Sequence, residues 1–425
     1  MKNSELRSLS ALLVFLALAL MMAAVPSARA QTFTSLWSFQ GPPLDGWGPQ
    51  GTLVFDQSGS VYGVTIFGGT TDFGTLFKFG TSGNEIVLHN FQGTRDGASP
   101  TGQVVRYGGK IYGVTESGGG GAGCGSGCGT VFAYSSDQQE NIVHSFEASD
   151  GGYTPAGLSG LIRDTSGNMY GTTYYGSSGP PPSSCGNQGN NVGCGTVFEV
   201  SNRKEQVLYS FGGKPDGAGP EGSLIVDRAG NLYGVTGFGG TFDCGSIFEL
   251  SPNTDGSWTE QVLYSFRGTT DGAGPQGVSL AVNGDLYGVA ESGGEITDRY
   301  CKLANGCGVA FKLKKNPDGS WSHRTLHTFT GPPLDGYHPL SNLTLDGHGN
   351  IYGVTLGGGT QGYGIVFKLD AAGNETILHS FDGIDGLDPE SGLVMDANGN
   401  LFGTTVGGGN SSCSNGCGTI FKITP

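Results

Sequence analysis

The chain has 425 residues, of which 36% are hydrophobic, only 13% are charged and 81 are glycine. The glycines follow no three-residue period, which excludes collagen, and they recur between apolar alternating runs, as turn residues do. The formal net charge is −15. An acidic chain with scattered basic residues repels nucleic acid and anionic membranes, so we expect neither as a partner.

The first 30 residues have the pattern of a secretory signal peptide. Lys2 and Arg7 precede an uncharged apolar run from Ala11 to Val25, and Ala28-Arg29-Ala30 is a small-x-small cleavage pattern. This run is short for a membrane span, and no other segment is long and apolar enough to cross a bilayer. We expect cleavage before Gln31, a single domain over 31–425 without a membrane span, and a secreted protein, either extracellular or periplasmic.

One pattern returns seven times in the mature chain, at spacings of 50 to 65 residues. An apolar strand, typically ending in Ser-Phe, precedes Asp-Gly, Pro-x-Gly, a second apolar strand, Tyr-Gly-x-Thr, Gly-Gly and Gly-Thr-x-Phe. Each unit therefore predicts a four-stranded antiparallel meander. One such sheet cannot bury both of its faces alone, but radial repetition buries each face against a neighbour.

The two ends of the chain favour a closed ring. Phe33 to Phe39 is a lone fourth strand, whereas Gly418 to Ile423 is a third strand, so the first strand can complete the last unit. We therefore predict an all-β fold, a seven-bladed β-propeller of four-stranded antiparallel blades closed by the N-terminal strand. An open β-solenoid is the alternative.

The seven Asp-Gly pairs allow two interpretations. A ring of carboxylates could bind cations or sugar hydroxyls. A pair present in every unit instead favours a structural role, in which Asp bonds its own turn and Gly supplies a positive φ.

Four histidines share a place near the end of the fourth strand with Tyr209 and Tyr264, namely His89, His144, His327 and His379. Because tyrosine replaces histidine there, packing or an edge hydrogen bond is favoured over metal ligation. His338 and His348 stand alone in turns, and we expect both to be exposed to solvent.

The nine cysteines predict four short disulfides and one free thiol. Five of them precede the third strand of their units, and four of these have a partner earlier in the same loop. In an exported protein we expect disulfides Cys124–Cys128, Cys185–Cys194, Cys301–Cys307 and Cys413–Cys417, with Cys244 free. Zinc is the alternative, but the pairs lie in different units and no unit supplies four ligands.

The sequence contains no strong catalytic motif. The inner strands read as apolar and alike in every unit, so we expect no unique polar cluster there, no catalytic residue, no cofactor and no metal. Glu116 and Glu291 are candidate ligand contacts because they stand where other units carry other residue types; as an acid–base pair they are disfavoured, since units two and five lie far apart round the ring. The loop from Glu295 to Asn305 carries mixed charge and an aromatic ring, and its candidate ligand contacts are Asp298, Arg299, Tyr300 and Lys302.

The repeat, as in Glu375 to Gly418, resembles the GloVer-type tandem repeat of secreted bacterial proteins of the choice-of-anchor group. The motifs that carry the resemblance are Asp-Gly-x-x-Pro, Gly-Asn-Leu-Tyr-Gly-x-Thr and Gly-Thr-x-Phe-x-Leu, and they cover essentially the whole mature chain. The resemblance implies a propeller-like fold and export, but no activity. Family members often end in an anchoring segment, and since this chain stops at Pro425 we expect free release.

Three functions remain open on the sequence alone. We favour a monomeric, non-enzymatic binding or scaffold module that presents its Cys-braced loops to a glycan or a protein. A polysaccharide hydrolase or lyase and a purely structural surface protein are the alternatives. An enzyme needs acidic or histidine residues that occur once, rather than in every repeat, and that converge at one spot, whereas a scaffold does not.

Overall fold

The computed structural model describes residues 31–121, 123–135, 140–147, 153–155, 159–177, 193–201, 204–294, 301–302, 305–409 and 412–424. The expected signal peptide, 1–30, lies outside these ranges. Within these ranges the chain is all-β, and it contains no helix that is long and apolar enough to cross a membrane.

Seven sheets form a propeller, and each blade is a meander of strands numbered here from the inner first to the outer fourth. The strands of blades 1 and 2 are β2 (Gly46–Phe55), β3 (Val61–Gly68), β4 (Thr75–Phe79), β5 (Glu85–Asn90), β6 (Ala98–Tyr107), β7 (Lys110–Ser117), β8 (Thr130–Ser135) and β9 (Glu140–Ser145). Those of blades 3 and 4 are β10 (Tyr153–Pro155) and β11 (Ile162–Arg163), which both pair with β12 (Met169–Tyr175), then β13 (Thr196–Ser201), β14 (Lys204–Ser210), β15 (Gly217–Val226), β16 (Leu232–Gly239), β17 (Ser246–Pro252) and β18 (Trp258–Ser265).

The remaining three blades repeat the same order. Their strands are β19 (Ala273–Leu280), β20 (Leu286–Ser292), β21 (Val309–Lys315), β22 (Trp321–Thr328), β23 (Gly336–Leu345), β24 (Ile351–Gly358), β25 (Ile365–Leu369), β26 (Glu375–Ser380), β27 (Val394–Met395), β28 (Leu401–Thr405) and β29 (Thr419–Thr424), with β1 (Thr32–Ser38) added to the last sheet.

The ring is closed by its own N-terminal strand. β1 pairs antiparallel with β29, with Phe33 opposite Ile423 and Ser38 opposite Thr419, so it is the fourth strand of blade 7. This confirms the predicted closure. β1 and β29 come from opposite ends of the chain, so their pairing joins the two ends within one sheet, and β1 covers the edge that β29 would otherwise expose.

Phenylalanine pairs hold each blade to the next. The phenylalanine after each fourth strand packs edge-to-face on the third-strand phenylalanine of the following blade, with ring centroids 5.0 to 5.3 Å apart in all seven pairs, as in Phe211–Phe248. The glycine of each Tyr-Gly motif lies beneath the second ring, and a Cβ on Gly234 would be 2.5 Å from Phe248. The repeated aromatic and glycine positions are thus one packing unit.

The Asp-Gly pairs are structural, as predicted. Asp45 accepts hydrogen bonds from the backbone N–H groups of Gln40 and Gly46, at 2.8 and 2.7 Å, and the other described Asp-Gly aspartates likewise accept from their own turns. The predicted positive φ is wrong for Gly46, where glycine is needed because a Cβ would lie 2.1 Å from the Thr65 hydroxyl. Gly97 does have a positive φ, of 110°.

Three of the expected disulfides are formed, namely Cys124–Cys128, Cys301–Cys307 and Cys413–Cys417, and Cys244 is free. In the fourth pair, Cys194 is disulfide-bonded, while Cys185 lies outside the described residues. The disulfides brace the loops between second and third strands. The carbonyl of Cys307 also accepts a 3.0 Å hydrogen bond from the backbone of His338 in the next blade.

Candidate functional site

One face of the propeller carries both the loops between second and third strands and the connections between blades, and we call it the loop face. Each first strand begins at this face, with the motif Pro-x-Gly or Pro-x-Ser near its start. The side chains after the proline include Gln50, Glu221, Gln276 and Glu390, which differ between blades. The prediction that the inner strands hold no unique polar cluster is therefore wrong.

The main cluster links blades 4, 5 and 6. Gln276 Nε2 donates to Glu221 Oε2 at 2.8 Å and lies 3.2 Å from Glu291 Oε2. Glu291 Oε1 is 3.2 Å from His338 Nδ1. We call these four residues the mouth cluster. Its two carboxylates meet the same amide nitrogen, so their nearest oxygens lie within about 6 Å of each other.

Glu221 occupies a protected place in this cluster. A Cβ on Gly237 would lie 2.9 Å from Glu221 Oε1, so the absence of a side chain there makes room for the carboxyl group. Burial raises the pKa of Glu221 to about 7, and the negative charge of Glu291 acts in the same direction. Tyr174 lies close enough to feel the charge of Glu221. Burial and this charge together raise the pKa of Tyr174 to about 12. Glu221 is thus an acid that can hold a proton near neutral pH.

His338 is not the exposed turn residue that the sequence suggested. Its side chain is 23% exposed, and its Nε2 atom is buried without a hydrogen-bond partner. Its backbone has a φ of +54°; at the same position before proline, blades 1, 4 and 5 place glycine, while Ser99 in blade 2 and Asp388 in blade 7 also have a positive φ. What distinguishes His338 is therefore its contact with Glu291 rather than its backbone conformation. His348, in contrast, is exposed as predicted.

A second hydrogen-bonded chain lies across blades 7, 1 and 2. Gln50 Nε2 donates to Glu390 Oε2 at 2.6 Å, and the Thr101 hydroxyl donates to Gln50 Oε1 at 3.2 Å. Burial raises the pKa of Glu390, and the charge of Asp388 adds to this effect. Carboxyl and carboxamide groups therefore line two arcs of the inner strands.

The inner strands meet below these side chains. A Cβ on Gly51 would lie 2.1 Å from the carbonyl of Gly102, and one on Gly222 would lie 2.2 Å from the carbonyl of Gln276. A cavity of about 20 Å³, lined by residues of five blades, remains at this level. It has room for about one water molecule, so a larger ligand that contacts the mouth cluster cannot pass below this level.

The candidate residues predicted from the sequence do not come together as one described site. Glu291, on β20, belongs to the mouth cluster. Glu116 lies near the end of β7 in blade 2, three blades away. Burial raises the pKa of Glu116 to about 7. Lys302 is exposed. Asp298, Arg299 and Tyr300 lie outside the described residues.

The loop face also carries most of the exposed large hydrophobic side chains. Of eleven such residues in the described ranges, eight lie in its loops or at the strand ends beside them, and Phe238 is 54% exposed. The eight are Leu44, Phe67, Phe73, Phe238, Phe242, Leu334, Tyr363 and Ile384. Most of the large apolar side chains that the described residues expose thus lie on the loop face.

The sequence profile of the Gloeobacter/Verrucomicrobia repeat matches residues 25–180, 184–303 and 299–425. The chain belongs to this repeat family. The match covers nearly every blade and confirms the resemblance drawn from the repeated motifs. No curated protein matches the sequence.

Solved structures similar to this repeat protein include an oligogalacturonate lyase from Vibrio parahaemolyticus, with 12% identity, a TM-score of 0.50 and coverage of 94% of this chain and 95% of that one. A gluconolactonase from Xanthomonas campestris has 14% identity, a TM-score of 0.43 and coverage of 78% and 88%. A luciferin-regenerating enzyme has 12% identity, a TM-score of 0.44 and coverage of 93% and 96%. At these identities the likeness concerns the fold alone.

Proposed function

We propose that this chain is an exported, non-enzymatic binding propeller whose ligand is a neutral, polyhydroxylated glycan held on the loop face at the mouth cluster. The observation that carries the proposal is the convergence of Glu221, Gln276, Glu291 and His338, none of which recurs in every blade. Carboxyl, carboxamide and imidazole groups offer the donors and acceptors that sugar hydroxyls need.

Two features away from the cluster, on the loop face and in the composition, support the same ligand class. In blade 1, Trp47 stacks on Phe67 at 4.5 Å on the loop face, and flat aromatic surface of this kind suits the apolar face of a sugar ring. The negative net charge disfavours anionic polysaccharides. The disulfides fit an oxidising compartment, in agreement with the signal-peptide pattern.

A glycan array probed with residues 31–425 tests this proposal, followed by calorimetry on the best neutral oligosaccharide. Gln276→Ala should weaken binding about tenfold, since a lost hydrogen bond of this kind is worth about 1.4 kcal/mol. Phe238→Ala should also weaken binding. Tyr107→Ala, an exposed aromatic in the first-to-second-strand turn on the opposite face, is the matched control and should bind normally. Binding confined to uronate polymers, or equal loss in Phe238→Ala and Tyr107→Ala, would contradict the proposal.

A second candidate, a polysaccharide hydrolase or lyase, is favoured by one pair of residues. Glu221 has a raised pKa and lies close to Glu291, and acid–base cleavage of a glycosidic bond uses two neighbouring carboxyl groups, one of them an acid with a raised pKa. In this reading Glu221 is the acid and Glu291 the base or nucleophile. Incubation with the bound glycan distinguishes the two functions: release of new ends, abolished in Glu221→Gln, would establish the enzyme.

A further inference from the structure

A half-buried position at the outer blade edges recurs in every repeat. It lies four residues before the histidine, tyrosine or tryptophan of the fourth strand, and its occupants are Phe33, Glu85, Glu140, Glu205, Glu260, His323 and Glu375. In the described interfaces that carry a glutamate here, the side chain faces the Asp-Gly aspartate that precedes its own blade. Two carboxyl groups thus meet between adjacent blades.

The interface between blades 5 and 6 shows the geometry. His327 Nε2 lies 3.2 Å from Asp335 Oδ2 and 3.8 Å from Glu375 Oε2. The side chains of Asp335 and Glu375 are 6% and 14% exposed. Between blades 1 and 2, the nearest polar atoms of His89, Asp96 and Glu140 likewise all lie within 4.8 Å of one another.

One oxygen of each of the four glutamates that face an Asp-Gly aspartate has no hydrogen-bond partner. The Oε1 atoms of Glu85, Glu140, Glu260 and Glu375 are all buried in this way. A buried carboxylate oxygen without a donor is costly, whereas a protonated carboxyl group carries its own donor and no charge. The unpartnered oxygens therefore point to a proton on these glutamates.

The charges around each glutamate agree with this assignment. Burial, with the nearby charge of Asp45, raises the pKa of Glu85 to about 8. Burial, together with the charges of the facing aspartates Asp96, Asp216 and Asp335, raises the pKa values of Glu140, Glu260 and Glu375 to about 7. The opposing groups are His89 beside Glu140 and His327 beside Glu375.

The histidine, aspartate and glutamate sets resemble metal ligands, but comparison of the repeats favours a proton. At the interface between blades 3 and 4 the histidine is replaced by Tyr209, which donates to Asp216 at 2.9 Å, and between blades 7 and 1 it is replaced by Trp37. Glu260 and Glu85 keep their buried, unpartnered oxygens there. The feature that all four interfaces share is the carboxyl pair.

We propose that protonated glutamates at the blade interfaces hold neighbouring blades together, so that the propeller is most stable in mildly acidic surroundings and loses stability as the pH rises to and past neutrality. The sign follows from the direction of the shifts. A carboxyl group with a raised pKa stabilises the fold fully below about pH 4.5 and loses this contribution as the pH rises through 7 to 8.

Other groups limit the acid side of this range. His323 takes the glutamate place between blades 4 and 5, where burial lowers its pKa to about 4, so its contribution falls as the pH drops from 6.5 toward 4. Asp335 and Asp385 have lowered pKa values, with His327 and His379 among the causes, and they lose stability below about pH 4. Phe33 stacks on His379 at 3.6 Å and carries no charge. The greatest stability is therefore expected near pH 5.

Thermal unfolding of residues 31–425 between pH 4 and pH 9 tests the proposal. The apparent Tm of the wild type should fall by about 5–10 °C from pH 5 to pH 8. Replacement of Glu85, Glu140, Glu260 and Glu375 by glutamine, which keeps the shape and stays neutral, should abolish most of that fall. Glu249→Gln, in the same sheet as Glu260 but on β17, is the control and should keep the wild-type profile.

Three results would overturn the proposal. The first is a wild-type Tm that stays flat or rises between pH 5 and pH 8. The second is a quadruple variant whose Tm falls as the wild type does. The third is a Tm lowered by EDTA and restored by zinc, which would make these sets metal sites. None of these results depends on glycan binding.

If the quadruple variant does not fold, the single variants Glu85→Gln and Glu260→Gln replace it. Each should reduce the fall in Tm by about a quarter.

Discussion

Glu221 and Glu291 meet at one amide nitrogen, that of Gln276, although they belong to different blades and stand 70 positions apart in the sequence. Both carboxyl groups lie on the loop-face side of the point where the inner strands meet. The arrangement keeps two acidic groups close without placing two full charges side by side, because the raised pKa of Glu221 favours its protonated form.

His338→Gly should separate stability from binding. The positive φ costs a non-glycine residue about 1–2 kcal/mol, so glycine should leave the free energy of unfolding unchanged or raise it by up to about 1 kcal/mol. Loss of the imidazole beside Glu291 should weaken glycan binding about tenfold. Chemical denaturation and calorimetry measure the two effects, and Gly219→Ala, at the equivalent place in blade 4, should show the opposite change in stability. A destabilised His338→Gly would contradict the strain argument.

Gly234→Ala should weaken the contact between blades 3 and 4. The added Cβ would lie 2.5 Å from the ring of Phe248, which cannot retreat without losing its contact with Phe211. We expect a loss of about 3 kcal/mol in the free energy of unfolding, as for overpacked cores. Gly347→Ala is the control, since a Cβ there meets nothing within 4 Å and the φ is not positive. Equal denaturation midpoints for the two variants would refute this reading.

Thiol labelling should find a single free cysteine. Burial raises the pKa of the Cys244 thiol, and the charges of Asp243 and Asp271 act in the same direction, so iodoacetamide should react slowly with the native protein at pH 7.5. In denaturant without reductant, mass spectrometry should find only Cys244 modified. Labelling of Cys185 under those conditions would disprove the predicted Cys185–Cys194 pair, and Cys244→Ser provides the unlabelled control.

His323→Glu should create between blades 4 and 5 the carboxyl pair that the other interfaces have. The new glutamate would face Asp271, which already accepts a 2.8 Å hydrogen bond from Tyr264. Because its pKa should be raised as at the other interfaces, the variant should lose more stability than the wild type between pH 5 and pH 8, with the apparent Tm falling by about 2 °C more. His348→Glu, at an exposed turn, should leave the profile unchanged. A profile of His323→Glu that matches the wild type would argue against a shared role for this position.

The repeat made the fold predictable, but it also hid the site. The residue after the proline of each first strand varies between Gln50, Glu221, Gln276 and Leu340, and that variation was the available signal. The apolar character of the following residues drew attention away from it. The interface glutamates were equally visible as a column four residues before His89 and its counterparts, yet a recurring glutamate in a strand is ordinarily a solvated side chain.

The sequence by itself determined the seven blades, the four-stranded meander of each blade, the short loop-closing cysteine pairs and the strand that closes the ring, because alternation, turns and repeats can be recognised along the chain. Only the tertiary structure decided which polar side chains meet. Glu221 and Gln276 are 55 residues apart, and their contact depends on how the ring places one blade beside the next. The same placement of neighbouring blades buries Glu375 against Asp335. This burial and the charge of Asp335, rather than any sequence pattern, favour a proton on Glu375.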